Sequence, residues 1–202
     1  MSKAQYYCAA SLDGYIAESD DSLAWLFGHE GSFEGEGVEP GPMSDGGAYE
    51  RFYADVGALI SGSTTYEFIL DHMKGDGEWP YPRKPYWVLS SRDLPSPEGD
   101  DVDVRIVNAK VGNLHDELVA AAGERNLWVV GGGNVASQFA DEGLLDEVLL
   151  TVVPVVLGTG KPLFDRRLPG GAMQLTGTRV FDTGMVELRY EITRSGLYPS
   201  PS

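Results

Sequence analysis

Cysteine is nearly absent from this sequence: Cys8 stands alone, so no disulfide can form within the chain, and a reducing cytoplasmic setting is expected. Positive charge is scarce as well. Fifteen Lys and Arg face 31 Asp and Glu, a formal net charge of −16, and so acidic a surface repels nucleic acid and anionic membrane alike. Neither is expected as a partner; a small-molecule substrate is. Only three histidines occur, His29, His72 and His115, far apart and without ligand spacing, so no metal site is expected. No basic segment followed by an apolar one opens the chain, and the longest apolar run, around 148–157, is too short to span a bilayer. The G-x-S-x-G elbow of hydrolases is missing too, and Cys8 within an apolar strand reads as core rather than nucleophile.

What is present suffices for one domain. The 202 residues are 42% apolar and 10% aromatic, enough for a buried core, and a chain this long is about one domain. A single unit over 1–195 is expected, followed by a disordered Pro/Ser-rich tail at 196–202. "AQYYCAA" at 4–10 reads as an opening strand ended by the turn "LDG"; 57–62 and 86–90 read as short apolar strands, and 102–107 alternates Val102, Val104 and Ile106. Between them lie helices. Tyr49, Phe52, Tyr53 and Val56 fall at helical spacing in "SDGGAYERFYADV". "TTYEFILDHM" sets Thr64 three residues before Glu67, a capping-box pattern, and "NLHDELVAAAGER" offers Asn113 as its cap. A strand at 127–131 then meets three glycines and a helix that Gly143 ends. "DEVLLTVVPVVLG" follows, and 173–181 with 185–193 read as an antiparallel hairpin around "FDTG". This order predicts an α/β fold: a mostly parallel sheet covered by helices, with an antiparallel C-terminal edge. The Gly/Glu-rich stretch 28–47 carries no period and reads as a long flexible loop, either a flap over a site or an inert insertion.

Two glycine motifs invite a phosphate reading. In "VVGGGNVASQF", Gly131, Gly133 and Ala136 fit the G-x-G-x-x-A dinucleotide fingerprint. The Rossmann fold, however, needs that fingerprint early in the chain and an acid at the end of the next strand, and here the next strand ends in "VVPVVLG". Glycines before a helix still suit phosphate, because bare backbone can approach it and the helix presents N–H groups. "GTGK" at 158–161 is not a Walker motif: Pro162 follows the lysine and Val155 stands where the upstream glycine is required.

Five segments taken together resemble one superfamily: "AASLDGYIA" at 9–17, "LISGSTTYE" at 59–67, "YWVLSS" at 86–91, "WVVGGGNVASQF" at 128–139 and "DEVLLTVVPVVLGTGKPLF" at 146–164. They are similar, in this order and over nearly the whole chain, to the dihydrofolate reductase-like fold. The likeness is greatest to the C-terminal reductase domain of the bacterial riboflavin-biosynthesis bifunctional deaminase/reductase. The resemblance implies a three-layer α/β reductase, often a homodimer, that binds NADPH across the C-terminal ends of its strands. The cofactor diphosphate would lie at two helix starts, one at Gly62, Ser63, Thr64 and Thr65, the other at Gly131, Gly132, Gly133, Asn134 and Val135. The nicotinamide would sit near Ala9 and Ile16, and the adenosine 2′-phosphate near Ser90, Ser91 and Arg92. On the substrate side the resemblance points to Asp13, Trp25, Thr151 and an acid on the first helix, where Asp45 is nearest to register and Glu50 lies one turn on; Tyr49 on that helix is a further substrate-binding candidate. Lys161, Arg166 and Arg167 form a local positive cluster that suits a sugar phosphate.

One departure bears on the cofactor. The family usually shows "GRxTYE", and this chain has Ser63 at the arginine position. Loss of that cation lowers the expected preference for NADPH and leaves NADH possible. The expected activity is reduction of the ribosylamino sugar of a 5-amino-uracil phosphate. The alternatives are a dihydrofolate or other pteridine reductase, and a protein of this fold that binds nucleotide without turnover.

Overall fold

The structure, a computed structural model, describes residues 2–27, 48–73, 78–181 and 184–193. The expected flap at 28–47, the acid Asp45, His29 and the tail lie outside the described residues. Eight strands form one sheet. In chain order they are β1 (Ala4–Ser11), β3 (Val56–Gly62), β4 (Tyr86–Leu89), β5 (Val104–Val107), β6 (Asn126–Gly131), β7 (Glu147–Val153), β9 (Met173–Val180) and β10 (Val186–Ile192). Their spatial order is β5-β4-β3-β6-β1-β7-β10-β9. From β5 to β7 every pairing is parallel, and β10 runs antiparallel between β7 and β9. This is the mostly parallel sheet with an antiparallel C-terminal hairpin that the alternating pattern predicts. Two short strands, β2 (Tyr15–Ala17) and β8 (Lys161–Pro162), pair apart from it. Neither is foreseen from the sequence, because two or three residues carry no readable period.

Helices cover both faces. On β1 and β6 successive side chains point opposite ways. Tyr6, Leu127 and Val129 join the cluster under α4 (Val111–Ala122) and α5 (Gly133–Asp141). Tyr7, Trp128 and Val130 join the cluster under α2 (Ala48–Ala54) and α3 (Ser63–His72), where Tyr49, Phe52, Tyr53, Tyr66, Trp79, Tyr81 and Tyr86 form a mostly edge-to-face aromatic packing. A four-residue helix, α1 (Ala24–Phe27), buries Trp25 against Val153, Phe181 and Met185.

Several local expectations need correction. Val56 starts β3 rather than ending α2, so the apolar stripe of that helix is Tyr49, Phe52 and Tyr53. The capping box at Thr64 and Glu67 does not form: α3 begins at Ser63 behind Gly62, no side chain caps it, and Glu67 turns to a tertiary partner. Asn113 is no cap either, since α4 starts at Val111 and the Asn113 N–H already donates to the Lys110 carbonyl. Both patterns fit a helix start locally, but the turn entering each helix is fixed by backbone contacts. Strand β5 begins at Val104, not at 102.

The sheet is pinned at its lower edge by a carboxylate. Cross-strand register places Glu147 opposite Gln5, and the residue is 6% exposed. Lys3 Nζ donates to Glu147 Oε1 at 2.5 Å and Gln5 Nε2 to Oε2 at 2.6 Å. Burial alone would raise this carboxyl, yet the Lys3 ammonium and the Gln5 amide outweigh it and hold Glu147 below the usual carboxylate value. A group with a lowered folded pKa binds fewer protons in the fold, so its stabilising contribution is complete above the ordinary carboxylate range and is lost as pH falls through the lowered value. Glu147→Gln is therefore expected to melt at lower temperature than the parent at neutral pH and to lose less stability below about pH 5. Thermal melts against pH check this, and parallel curves for the two proteins would contradict it.

Candidate functional site

At the C-terminal ends of β1, β3 and β6 lies a cleft of about 440 Å³. Its position follows from the sheet: β6 sits between β3 and β1, and the helices after β3 and β6 start side by side above it. Glycine lets them meet. A methyl on Gly131 would stand 2.8 Å from the Thr65 hydroxyl, and one on Gly133 would stand 2.3 Å from the Pro162 carbonyl oxygen. Gly132 between them has φ 89°, a left-handed value that a side chain resists. Val135 is buried beneath both turns, within van der Waals reach of Gly62 and Gly132. The triplet is thus explained first by chain contacts, and the result is two abutting helix starts.

Neither start is capped by a side chain. Gly62 precedes α3 and Gly132 precedes α5, and neither residue has a side-chain acceptor for the first-turn N–H groups. Thr64 and Thr65 from α3 and Gly131, Gly132, Gly133 and Asn134 from the second turn line the cleft. The rest of the wall is largely apolar. Tyr6, Cys8, Ala9, Ile16, Leu23 and Leu26 shape the end beside β1, and Phe68 and Val130 the other. Cys8 is a neutral thiol there, its pKa pushed up to about 12 by burial despite the opposing contact with Tyr6.

Charge in the wall is sparse and self-compensating. Lys161 is the one cation among the described lining residues, and its ammonium lies 3.3 Å from Asp21 Oδ1. Asp21 occupies a left-handed turn at φ 70°, and neither it nor Asp165 has a local sequence signature that marks it as a site residue. Asp165 Oδ2 accepts from Asn134 Nδ2 at 2.5 Å, and Asn134 Oδ1 accepts from Gln138 at 2.8 Å. Arg166 pairs with Asp141 along α5 instead of reaching the cleft, and Arg167 is exposed. The β2–β8 pair closes one end, with Lys161 on its second strand.

The structure therefore brings Ala9, Ile16, Thr64, Thr65, Gly131, Gly132, Gly133, Asn134 and Lys161 to one cavity, with Gly62, Ser63 and Val135 in or beneath its turns. Ser90, Ser91 and Arg92 follow β4, beyond the cleft wall. The Ser90 hydroxyl accepts from the Arg92 N–H, and the Arg92 guanidinium gives both terminal nitrogens to Glu67, at 2.9 and 2.7 Å. Thr151 is buried on β7, with Ala9 and Glu187 as cross-strand partners on the same face. Trp25 is buried in α1 with its indole N–H unpaired, and Tyr49 packs against Tyr53 and Trp128. Asp13 is not among the residues that line the cleft. Its carboxylate accepts from Ser11 at 2.7 Å and from the N–H groups of Leu157 and Gly158 at 3.1 and 2.7 Å, and these contacts, Ser11 foremost, hold its pKa below the usual value. Such a carboxylate clamps the 157–158 loop to the β1 turn and is a poor proton donor. Among the described residues no cluster of His, Cys, Asp and Glu is arranged to hold a metal, and no helix is long and apolar enough to cross a membrane.

The sheet order, with its antiparallel C-terminal hairpin and a cleft at the strand ends, is that of a dihydrofolate reductase-like fold. Residues 81–187, just over half the chain, match the RibD C-terminal domain. The chain is 36% identical over 190 residues to the uncharacterized protein YwjB of Bacillus subtilis, covering 93% of this chain and 97% of that one. It belongs to the RibD C-terminal domain family. Among solved structures it is similar to a protein of Shewanella sp. PV-4 provisionally named for riboflavin biosynthesis, with a TM-score of 0.75, 28% identity and coverage of 95% and 99% of the two chains. It also shares its fold with the dihydrofolate reductase of Enterococcus faecalis, solved with NADP(H), at a TM-score of 0.57, 16% identity and coverage of 95% and 96%.

The two outer glycines of the triplet differ in what opposes them. At Gly131 the obstacle is a threonine side chain, whereas at Gly133 it is a pair of carbonyl oxygens, on Pro162 and Leu163, fixed by the β2–β8 pairing. Gly133→Ala is expected to destabilise the fold by about 1–3 kcal/mol, the usual cost of overpacking, and Gly131→Ala by less. Denaturant unfolding of both variants checks the order; equal losses would contradict it.

Proposed function

We propose that this chain is a reductase that works with a nicotinamide dinucleotide bound across α3 and α5. The observation that carries this reading is the pair of abutting, uncapped helix starts over a cleft whose β1 end is apolar. Each helix start favours a nearby anion by roughly 0.3–1 kcal/mol, and up to about 2 kcal/mol when partly buried. Two of them side by side suit a diphosphate without arginine. That matters in a wall whose single described cation already faces Asp21. Thr64 and Thr65 would add hydroxyl donors from α3, and Gly132 and Gly133 would let the ligand reach backbone N–H groups. The apolar end, with Ala9, Ile16 and Leu26, fits a flat ring and keeps water from it. When bound, the nicotinamide supplies hydride, and the protein's part is to place it and exclude water.

The substrate reading follows the family: a ribosylamino-uracil phosphate whose sugar is reduced to the open ribityl chain. Thr151, buried on β7 opposite Ala9 and behind the cleft wall, is the hydroxyl the family likeness assigns to the substrate side. Lys161, at the rim, is the cation available to a sugar phosphate if it exchanges Asp21 for that partner. Asp13 is left with its structural task.

Oxidation of the reduced dinucleotide, followed with the ribosylamino-uracil phosphate and separately with dihydrofolate, tests the reading. Turnover with the first substrate is the expected result. Turnover with dihydrofolate alone would assign a pteridine reductase, and cofactor binding without turnover on either would contradict reductase activity.

A further inference from the structure

The geometry points to Glu67 as the residue that selects which dinucleotide this cleft accepts, and we propose that it favours the form without a 2′-phosphate. The inference rests on the cofactor reading above and deepens it. With the diphosphate on α3 and α5 and the nicotinamide in the apolar end beside β1, the other half of the molecule must run the opposite way across the strand ends. The sheet order fixes what it meets: past β3 comes β4, which ends at Leu89 and leads into Ser90, Ser91 and Arg92. Adjacent strands lie roughly 4.8 Å apart, so the end of β4 is one strand spacing beyond the α3 grip.

Beside the end of β4 an arginine and a glutamate are locked together. Arg92 Nη1 donates to Glu67 Oε1 at 2.9 Å and Nη2 to Oε2 at 2.7 Å. Both terminal nitrogens of the guanidinium are therefore taken by a single carboxylate. Glu67 lies on α3 two residues after Thr65, which lines the cleft, and the pair is open to solvent, with side chains 56% and 40% exposed. A 2′-phosphate arriving here needs the guanidinium fork that Glu67 fills, and it brings roughly two negative charges beside that carboxylate. A ribose with free hydroxyls meets the opposite situation, because a carboxylate accepts hydrogen bonds from them. Ser63, at the first position of α3, adds no charge to offset Glu67.

The test is equilibrium titration of NADH and NADPH on the full chain, followed by the fluorescence of the reduced nicotinamide. Glu67→Gln and the double variant Glu67→Gln with Arg92→Ala are compared with the parent. The parent is expected to bind NADH about tenfold or more tighter than NADPH, the effect of exchanging one charge-assisted contact for a like-charge one. Glu67→Gln is expected to raise NADPH affinity about tenfold while NADH affinity stays level or falls, and loss of Arg92 in that background to cancel the gain. Equal binding of the two dinucleotides by the parent, tighter NADPH binding, or a Glu67→Gln change that shifts both alike would overturn the proposal. Failure of both dinucleotides to bind any of the proteins would overturn the cofactor reading, and this inference with it.

Discussion

The structure turns on the close approach of two helix starts. The first turns of α3 and α5 meet because Gly131 and Gly132 carry no side chains beside Thr65 and Gly62, and Gly133 lets the start of α5 sit against the Pro162–Leu163 carbonyls. Parallel strands make this meeting possible. With β6 laid between β3 and β1, the helices that follow β3 and β6 begin at the same edge of the sheet, on opposite faces, and their N–H groups converge. Val135 fills the space beneath both turns, so neither can shift without disturbing the other. The cleft is a consequence of the packing rather than an addition to it.

Electrostatics at the cleft follow from an acidic chain with few cations to spare. Three described cations near the site stand beside acids: Lys161 faces Asp21, Arg92 is held by Glu67, and Arg166 is bound by Asp141. An anion that binds here relies on backbone dipoles, which depend on the fold and not on side-chain charge. The same economy makes single acids consequential, since an uncompensated carboxylate at the rim shapes what can approach.

Much of the fold is legible in the sequence, and the reasons are local. The apolar runs of β3, β4, β6 and β7 and the alternating order of helices define a parallel sheet, and the C-terminal hairpin is announced by its turn. The glycine triplet marks a strand-to-helix turn, and that turn borders the cleft. What escapes is tertiary. Thr64 and Glu67 spell a capping box, yet Glu67 finds Arg92 twenty-five positions away, a partner that no local pattern reveals. Asp21 and Asp165 reach the cleft from loops whose paths are set by β2 and β8, strands too short to read. The family resemblance offers Asp13 as a site acid, whereas its oxygens accept from Ser11, Leu157 and Gly158, the last two far along the chain.

The claim at the centre of this account is that two uncapped helix starts, rather than a set of basic side chains, hold a dinucleotide diphosphate. A crystal structure of the chain with bound NADH tests it most directly. The account predicts diphosphate oxygens at about 2.7–3.2 Å from backbone N–H groups in the first turns of both α3 and α5, with the nicotinamide beside Ala9 and Ile16. A dinucleotide held elsewhere, or a diphosphate gripped by Lys161 and Arg92 with the helix starts left to water, would contradict it.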